Sequence, residues 1–193
     1  MVAPDPFAHV QPFQVWENAF TPEELDAIEA YGDRLDLNRG TVLSDGPEIT
    51  YDALRITRTA IMAPMPEIAW LYQRIERVVR VLNGQSYRFD LLGFAEPFQY
   101  MVYRGEEGGH FNWHVDNGRL PAARKLSATL QLTDGTQYEG CDLEFFGTHQ
   151  VEKAPRVRGT LAIFPSYVLH RVTPIRSGTR KALVIWSTGP NFR

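Results

Sequence analysis

The run Thr160-Leu161-Ala162-Ile163-Phe164-Pro165-Ser166-Tyr167-Val168-Leu169-His170-Arg171-Val172 decides the fold class. Two short runs, Thr160–Phe164 and Val168–Val172, are rich in β-branched and aromatic residues and are divided by Pro165-Ser166. Each is too short for a helix and bounded by turn formers, so each reads as a strand. The same texture extends outward in both directions. Upstream lie Tyr87–Phe94, Pro97–Tyr103, His110–Val115, Leu126–Thr133 and Asp142–Phe146, and downstream lies Ala182–Thr188. About eight short strands with turn-rich spacers predict a sandwich or jelly roll.

Before Gly84 the pattern differs. Thr21-Pro22-Glu23-Glu24 opens a helix, with Thr at the N-cap, Pro at the first helical position and Glu placed to reach back. Leu25, Ile28 and Leu35 carry it into the 32–38 region. Residues 39–52, rich in Gly, Asp, Ser and Pro, read as a loop, and Leu54–Met62 alternates like a half-buried strand. Pro66-Glu67 opens a second helix with Ile68, Leu71, Ile75, Val78, Val79 and Leu82 on one stripe and Asn83-Gly84 as its stop. The expected class is therefore α+β and β-dominated. One domain over 1–193 is expected, with 1–84 as N-terminal arm and bracing helices and 85–193 as the jelly-roll core.

Bulk properties exclude several classes. No stretch approaches the ~18 consecutive apolar residues of a membrane span. Met1-Val2-Ala3-Pro4-Asp5-Pro6 lacks the basic and apolar parts of a signal peptide. The single cysteine, Cys141, rules out an internal disulfide and a thiolate zinc cluster. A cytoplasmic location is the expectation. Twenty basic against 23 acidic residues leave a formal charge of −3, which disfavours nucleic acid as a partner.

The chemistry is concentrated in three places. His114 and Asp116 sit two apart in a strand-like segment, so alternation sends both to one face. His170 stands near the end of another strand. Two imidazoles and one carboxylate make the ligand set that holds non-haem Fe(II) with open positions. Arg180, ten residues after His170, offers a fork of N–H donors suited to a carboxylate. The combination suggests an iron oxygenase with a 2-oxo acid as co-substrate. Taken singly, a His-x-Asp pair is commonly a hydrogen-bonded surface pair, and a single His a satisfied core imidazole. His110 lies four before His114, but Gly108, Gly109, Phe111 and Trp113 are poor company for a zinc-binding helix. His9 and His149 show no partner pattern.

From Gln99-Tyr100 and Tyr103 onward the chain resembles the 2-oxoglutarate/Fe(II)-dependent dioxygenases, in their prolyl 4-hydroxylase-like branch. The resemblance is carried by Phe111-Asn112-Trp113-His114-Val115-Asp116, Arg124-Lys125-Leu126-Ser127-Ala128-Thr129-Leu130, Tyr138-Glu139-Gly140-Cys141-Asp142-Leu143 and Phe164-Pro165-Ser166. Leu169-His170-Arg171-Val172-Thr173-Pro174, Gly178-Thr179-Arg180 and Trp186 complete it. It covers about residues 96–188. The segment between Tyr103 and His114 is about two residues longer than the usual pattern, and Cys141 stands where a second glycine is common.

The resemblance implies a double-stranded β-helix, a form of jelly roll. In it His114, Asp116 and His170 bind iron, Arg180 pairs with the distal carboxylate of 2-oxoglutarate, and Tyr103 adds a hydrogen bond. Thr129 and Gln131, with Ser127, face the interior on strand alternation, either lining the oxo-acid pocket or serving as ordinary sheet polar residues. Fe(II), 2-oxoglutarate and O2 are the implied cofactors and co-substrates, with ascorbate as a further candidate. The implied reaction hydroxylates an unactivated C–H bond, releasing succinate and CO2. A prolyl or other amino-acid side chain, free or in a peptide or protein, is the expected substrate. Asp116 favours hydroxylation over halogenation, whose practitioners replace that carboxylate with a small residue. Phe111, Trp113 and Trp186 are expected to wall the site from water, and residues 39–52 and 104–110 to form specificity loops. The competing readings are a non-catalytic metal-binding jelly roll and a 2-oxoglutarate sensor.

Overall fold

The computed structural model of the chain describes residues 12–42, 50–116, 123–147 and 150–191. The strands among them are β1 (Gln14–Trp16), β2 (Asn38–Arg39), β3 (Arg55–Ile56), β4 (Arg58–Met62), β5 (Phe98–Arg104), β6 (His110–His114) and β7 (Ala123–Gln131). The series continues with β8 (Tyr138–Gly140), β9 (Leu143–Phe146), β10 (Val151–Lys153), β11 (Leu161–Pro165), β12 (His170–Val172) and β13 (Ile175–Gly189). A larger antiparallel sheet runs β1-β11-β7-β13-β5-β4-β2, with β8 paired to the start of β13; a smaller one runs β10-β9-β12-β6-β3.

The larger sheet has two differently employed faces, and strand alternation separates them. Phe98, Tyr100 and Val102 of β5, Leu126, Ala128 and Leu130 of β7, and Leu183 and Ile185 of β13 form one cluster with the helices. Met101, Tyr103, Ala162 and Phe164 point the other way and meet Leu143, Phe145 and Val172 of the smaller sheet. Between the sheets, therefore, β7 presents Ser127, Thr129 and Gln131, and β13 presents Arg180, all buried. Polar side chains on an interior face are costly unless partnered, so this face calls for a hydrogen-bond network between the sheets.

Both helices form where the sequence places them. The first, α1 (Pro22–Asp33), starts with a complete capping box between Thr21 and Glu24. The second, α2 (Ala69–Leu82), follows a 3-10 turn at Pro66–Ile68, and all six residues of its apolar stripe are buried. Each fully buried aliphatic side chain contributes about 1.5–3 kcal/mol, so α2 is held chiefly by this face.

Several local expectations are corrected. Leu54–Met62 is two strands, because the chain passes from the smaller sheet to the larger at Thr57, whose buried hydroxyl donates to Val102 O at 3.1 Å. Tyr87–Phe94 is not a strand. A π turn at Asn83–Tyr87 extends α2, and the Asn83 amide bonds both backbone groups of Phe89, at 2.8 and 2.9 Å, where a ladder would otherwise run. Strands β8 and β10 form in segments not expected to be extended. Part of the 39–52 loop (43–49), residues 1–11 of the arm, and His9 and His149 lie outside the described residues.

Candidate metal centre

Strand β6 carries His114 at its end and β12 opens with His170, and the two are register partners. Their rings lie 4.2 Å apart between centroids. Asp116 follows two residues beyond His114, just past the strand, and turns back onto both imidazoles. Its Oδ1 is 3.7 Å from His114 Nε2 and its Oδ2 is 3.6 Å from His170 Nε2. One donor atom from each of the three lies within 4.8 Å of the others.

The hydrogen bonds set the chemistry of the cluster. His114 Nδ1 lies 2.7 Å from Asn112 O, and His170 Nδ1 lies 2.9 Å from Val168 O. A carbonyl only accepts, so each Nδ1 carries a proton and Nε2 is the ring nitrogen that faces Asp116. Burial, then the neighbouring His170, lowers the His114 pKa to about 4, which keeps the ring neutral at working pH. Burial pushes the Asp116 carboxyl up, but His170, His114 and the Ser127 hydroxyl together hold it below its ordinary value. Two imidazoles presenting Nε2 and one carboxylate fit an Fe(II) ion, each histidine being oriented by a second hydrogen bond.

A bulge in β6 shapes one wall. His170 pairs with His114 but Val172 with Phe111, so β6 has one extra residue between them. Phe111 and His114 therefore share a face, and their rings stack with centroids 3.5 Å apart. Trp113, the neighbour of His114, points to the opposite face by ordinary alternation, against Phe146 and under the Arg171 guanidinium. Trp113 is thus not part of the site wall, contrary to expectation, whereas Phe111 and Trp186 are.

A buried cavity leads from this cluster to Arg180, passing Met101, Tyr103, Thr129, Leu143 and Val184. Arg180 is 3% exposed, and among the described residues no carboxylate pairs with it. Its Nε donates to Gln131 Oε1 at 3.0 Å, while the Gln131 amide nitrogen donates to Thr133 O and Tyr138 Oη. The polar atoms of Gln131 are thus engaged within the protein. Tyr103 is the cross-strand partner of Arg180; burial pushes its phenol up to about 12, so it remains a proton donor. Cys141 lines a neighbouring pocket and adopts φ +55°, the left-handed conformation that favours glycine, which accounts for the glycine common at this position.

On the other side the cluster opens into a cleft of about 540 Å³, bounded by Arg39, Leu54, Arg55, Ile61, Gln99, Val115, Arg124 and Trp186. Arg124 is clamped by Glu96 and lies over the Trp186 ring at 3.8 Å. Glu107, in the 104–110 loop, is tied to Arg58 at 2.8 Å. The stretch 39–52, expected as a specificity loop, supplies Arg39, Thr41 and Val42 to the second face of this cleft. Sequence reasoning missed the rest of that face, contributed by β3 and β4, short segments without a motif of their own.

Comparisons agree with this geometry. The family model described as the 2OG-Fe(II) oxygenase superfamily matches residues 98–188. A PKHD-type hydroxylase of Synechococcus sp. (strain CC9311) is 38% identical over 98 residues, 49% of this chain and 44% of that protein. The match thus spans under half the length of this curated relative. Among solved structures, a Pseudomonas putida prolyl-4-hydroxylase superimposes with TM-score 0.75 at 19% identity, covering 94% of this chain and 95% of the other. A Trichoplax adhaerens prolyl hydroxylase, solved with a hypoxia inducible factor oxygen degradation domain peptide fragment, gives 0.74 at 17% identity over 92% and 83%. The fold is the double-stranded β-helix, and the superfamily implies Fe(II) and 2-oxoglutarate. Residues 98–188 of this chain are thus similar to the 2OG-Fe(II) oxygenase superfamily, on a fold shared with the prolyl 4-hydroxylases.

Proposed function

We propose that the protein is an Fe(II)- and 2-oxoglutarate-dependent hydroxylase of an unactivated C–H bond, with a prolyl or other amino-acid side chain as substrate. The observation that carries the reading is a buried arginine without a carboxylate partner among the described residues, facing a two-histidine, one-aspartate cluster through one cavity. A buried cation is costly unless an anion meets it. A dicarboxylate reaching from the cluster to Arg180 satisfies both ends at once.

In this reading His114 and His170 offer Nε2 and Asp116 one carboxylate oxygen to the metal. Bound Fe(II), with O2, supplies the oxidation that converts C–H to C–OH while 2-oxoglutarate becomes succinate and CO2. Arg180 receives the distal carboxylate, with a guanidinium that orients but does not exchange protons. Gln131 holds Arg180 Nε, the protonated Tyr103 is a donor beside it, and Thr129 lines the wall between the two ends. Phe111, stacked on His114, and Trp186, at the junction of cavity and cleft, exclude water. The outer cleft admits an extended peptide or free amino acid, a reading supported by the peptide held by the Trichoplax relative. Residues 1–193 act as one domain, and ascorbate is a candidate activator.

The test is an anaerobic titration of metal-free protein with Fe(II) and then 2-oxoglutarate, followed by the visible charge-transfer band of a chelated oxo acid. The expected outcome is a band abolished by Asp116→Ala and requiring at least about tenfold more 2-oxoglutarate in Arg180→Ala. A folded protein that binds zinc tightly but gives no band overturns the reading.

A further inference from the structure

Asp116 is enclosed in a ring of hydrogen bonds that the ligand role alone does not explain. Ser127 Oγ donates to Asp116 Oδ2 at 2.7 Å, and Ser166 Oγ lies 3.0 Å from Ser127 Oγ. The Asp116 backbone N–H donates to Ser166 O at 2.8 Å, closing the ring. The direction of the hydroxyl chain is fixed. Ser127 has one proton and gives it to the carboxylate, so Ser166 donates to Ser127. Ser166 is itself anchored to the larger sheet, its N–H donating to Lys125 O at 3.0 Å.

Both serines are completely buried, on the interior face between the sheets. Two alanines would fill nearly the same space with no hydroxyl to satisfy, so packing does not call for serine here. What the hydroxyls have in common is Asp116. That residue lies past the end of β6, beyond the ladder bonds that fix His114, and its carboxylate needs another means of orientation.

We propose that Ser127, set by Ser166, is a positioning residue that reserves one oxygen of Asp116 and leaves the other for the metal. Oδ2 remains bonded to Ser127, and Oδ1, the oxygen facing His114, is the ligand. Asp116 then occupies one coordination position rather than two, which keeps room for a bidentate oxo acid. The proposal rests on the metal reading above and deepens it.

The experiment is Mn(II) binding to metal-free protein, read from the electron paramagnetic resonance signal of free Mn(II), followed by the 2-oxoglutarate half-saturation of the Fe(II) band. Wild type, Asp116→Ala, Ser127→Ala and Ser166→Ala are compared, with the melting temperature of each metal-free protein. Outer hydrogen-bond partners of metal ligands typically influence affinity by ten- to a hundredfold, so Ser127→Ala is expected to weaken Mn(II) binding by about tenfold or more, and Ser166→Ala by about threefold. At saturating metal, Ser127→Ala also needs more 2-oxoglutarate, because the freed Oδ2 competes for the same position. Melting temperatures that stay level across the serine variants exclude a general loss of structure as the cause. Wild-type Mn(II) and 2-oxoglutarate affinities in Ser127→Ala overturn the proposal while the metal centre stands. If Ser127→Ala does not fold, unchanged Mn(II) affinity in Ser166→Ala overturns it instead. Metal binding that survives Asp116→Ala overturns the metal reading, and this proposal with it.

Discussion

At the scale of single residues, the end of the cavity away from the His114–Asp116–His170 cluster is organised around Arg180 and what holds it. Gln131 is a lever here: its Oε1 accepts from Arg180 Nε, and its nitrogen is anchored to Thr133 O and Tyr138 Oη. Gln131→Ala therefore leaves Arg180 Nε unpaired and the guanidinium less restrained. The expected result is an increase of about three- to tenfold in the 2-oxoglutarate concentration for half-saturation. Mn(II) affinity, governed at the other end of the cavity, should stay within about twofold of wild type. Loss of metal affinity in this variant would mean that the two ends are not separable. From the sequence, alternation along Leu126–Thr133 placed Gln131 on the inner face. Its attachment to Arg180, rather than only to a ligand, depends on the register of β7 against β13, which pairs Gln131 with Ala182.

At the scale of elements, α2 supports the site without touching it. Ile75 is fully buried in the cluster between helix and sheet, on the side of β5, β7 and β13 away from the metal centre. Ile75→Ala should cost about 2–5 kcal/mol of stability, read by denaturant unfolding. Its metal and 2-oxoglutarate affinities should remain those of wild type as long as the protein is folded; a selective loss of metal affinity would show that the helix reaches the site. The helix itself was legible, because a 3.6-residue apolar period and a proline start are local signals. The β6 bulge was not. Strict alternation puts Phe111 and His114 on opposite faces, and only pairing with β12 reveals the extra residue that brings them together.

At the scale of the whole molecule, the N-terminal elements are structural members of both sheets. Strand β4 pairs with β5, β3 with β6, and β1 with β11, while α1 is attached to the larger sheet through Lys181 with Glu29 and Asp33 and through Arg158 with Asp26. A fragment starting at residue 85 would lose these partners and expose the apolar face formed by Phe98, Tyr100, Leu130, Leu183 and their neighbours. Such a fragment should aggregate or show no fixed tertiary structure by near-ultraviolet circular dichroism. A soluble, folded 85–193 fragment that still binds Mn(II) would contradict this account, in which the N-terminal elements and the jelly roll form one unit.

The linear chain already contained the two-histidine, one-aspartate set, the arginine, the β-rich class and the two helices, because period, capping and spacing are properties of neighbouring residues. It did not contain the closure of the Asp116–Ser127–Ser166 ring, the turning of Phe111 onto His114, the passage of the chain between sheets at Thr57, or the cleft wall made by β3 and β4. Each of these joins residues distant in sequence through strand register and sheet packing, and a shift of one residue in either would reverse which side chains face the metal.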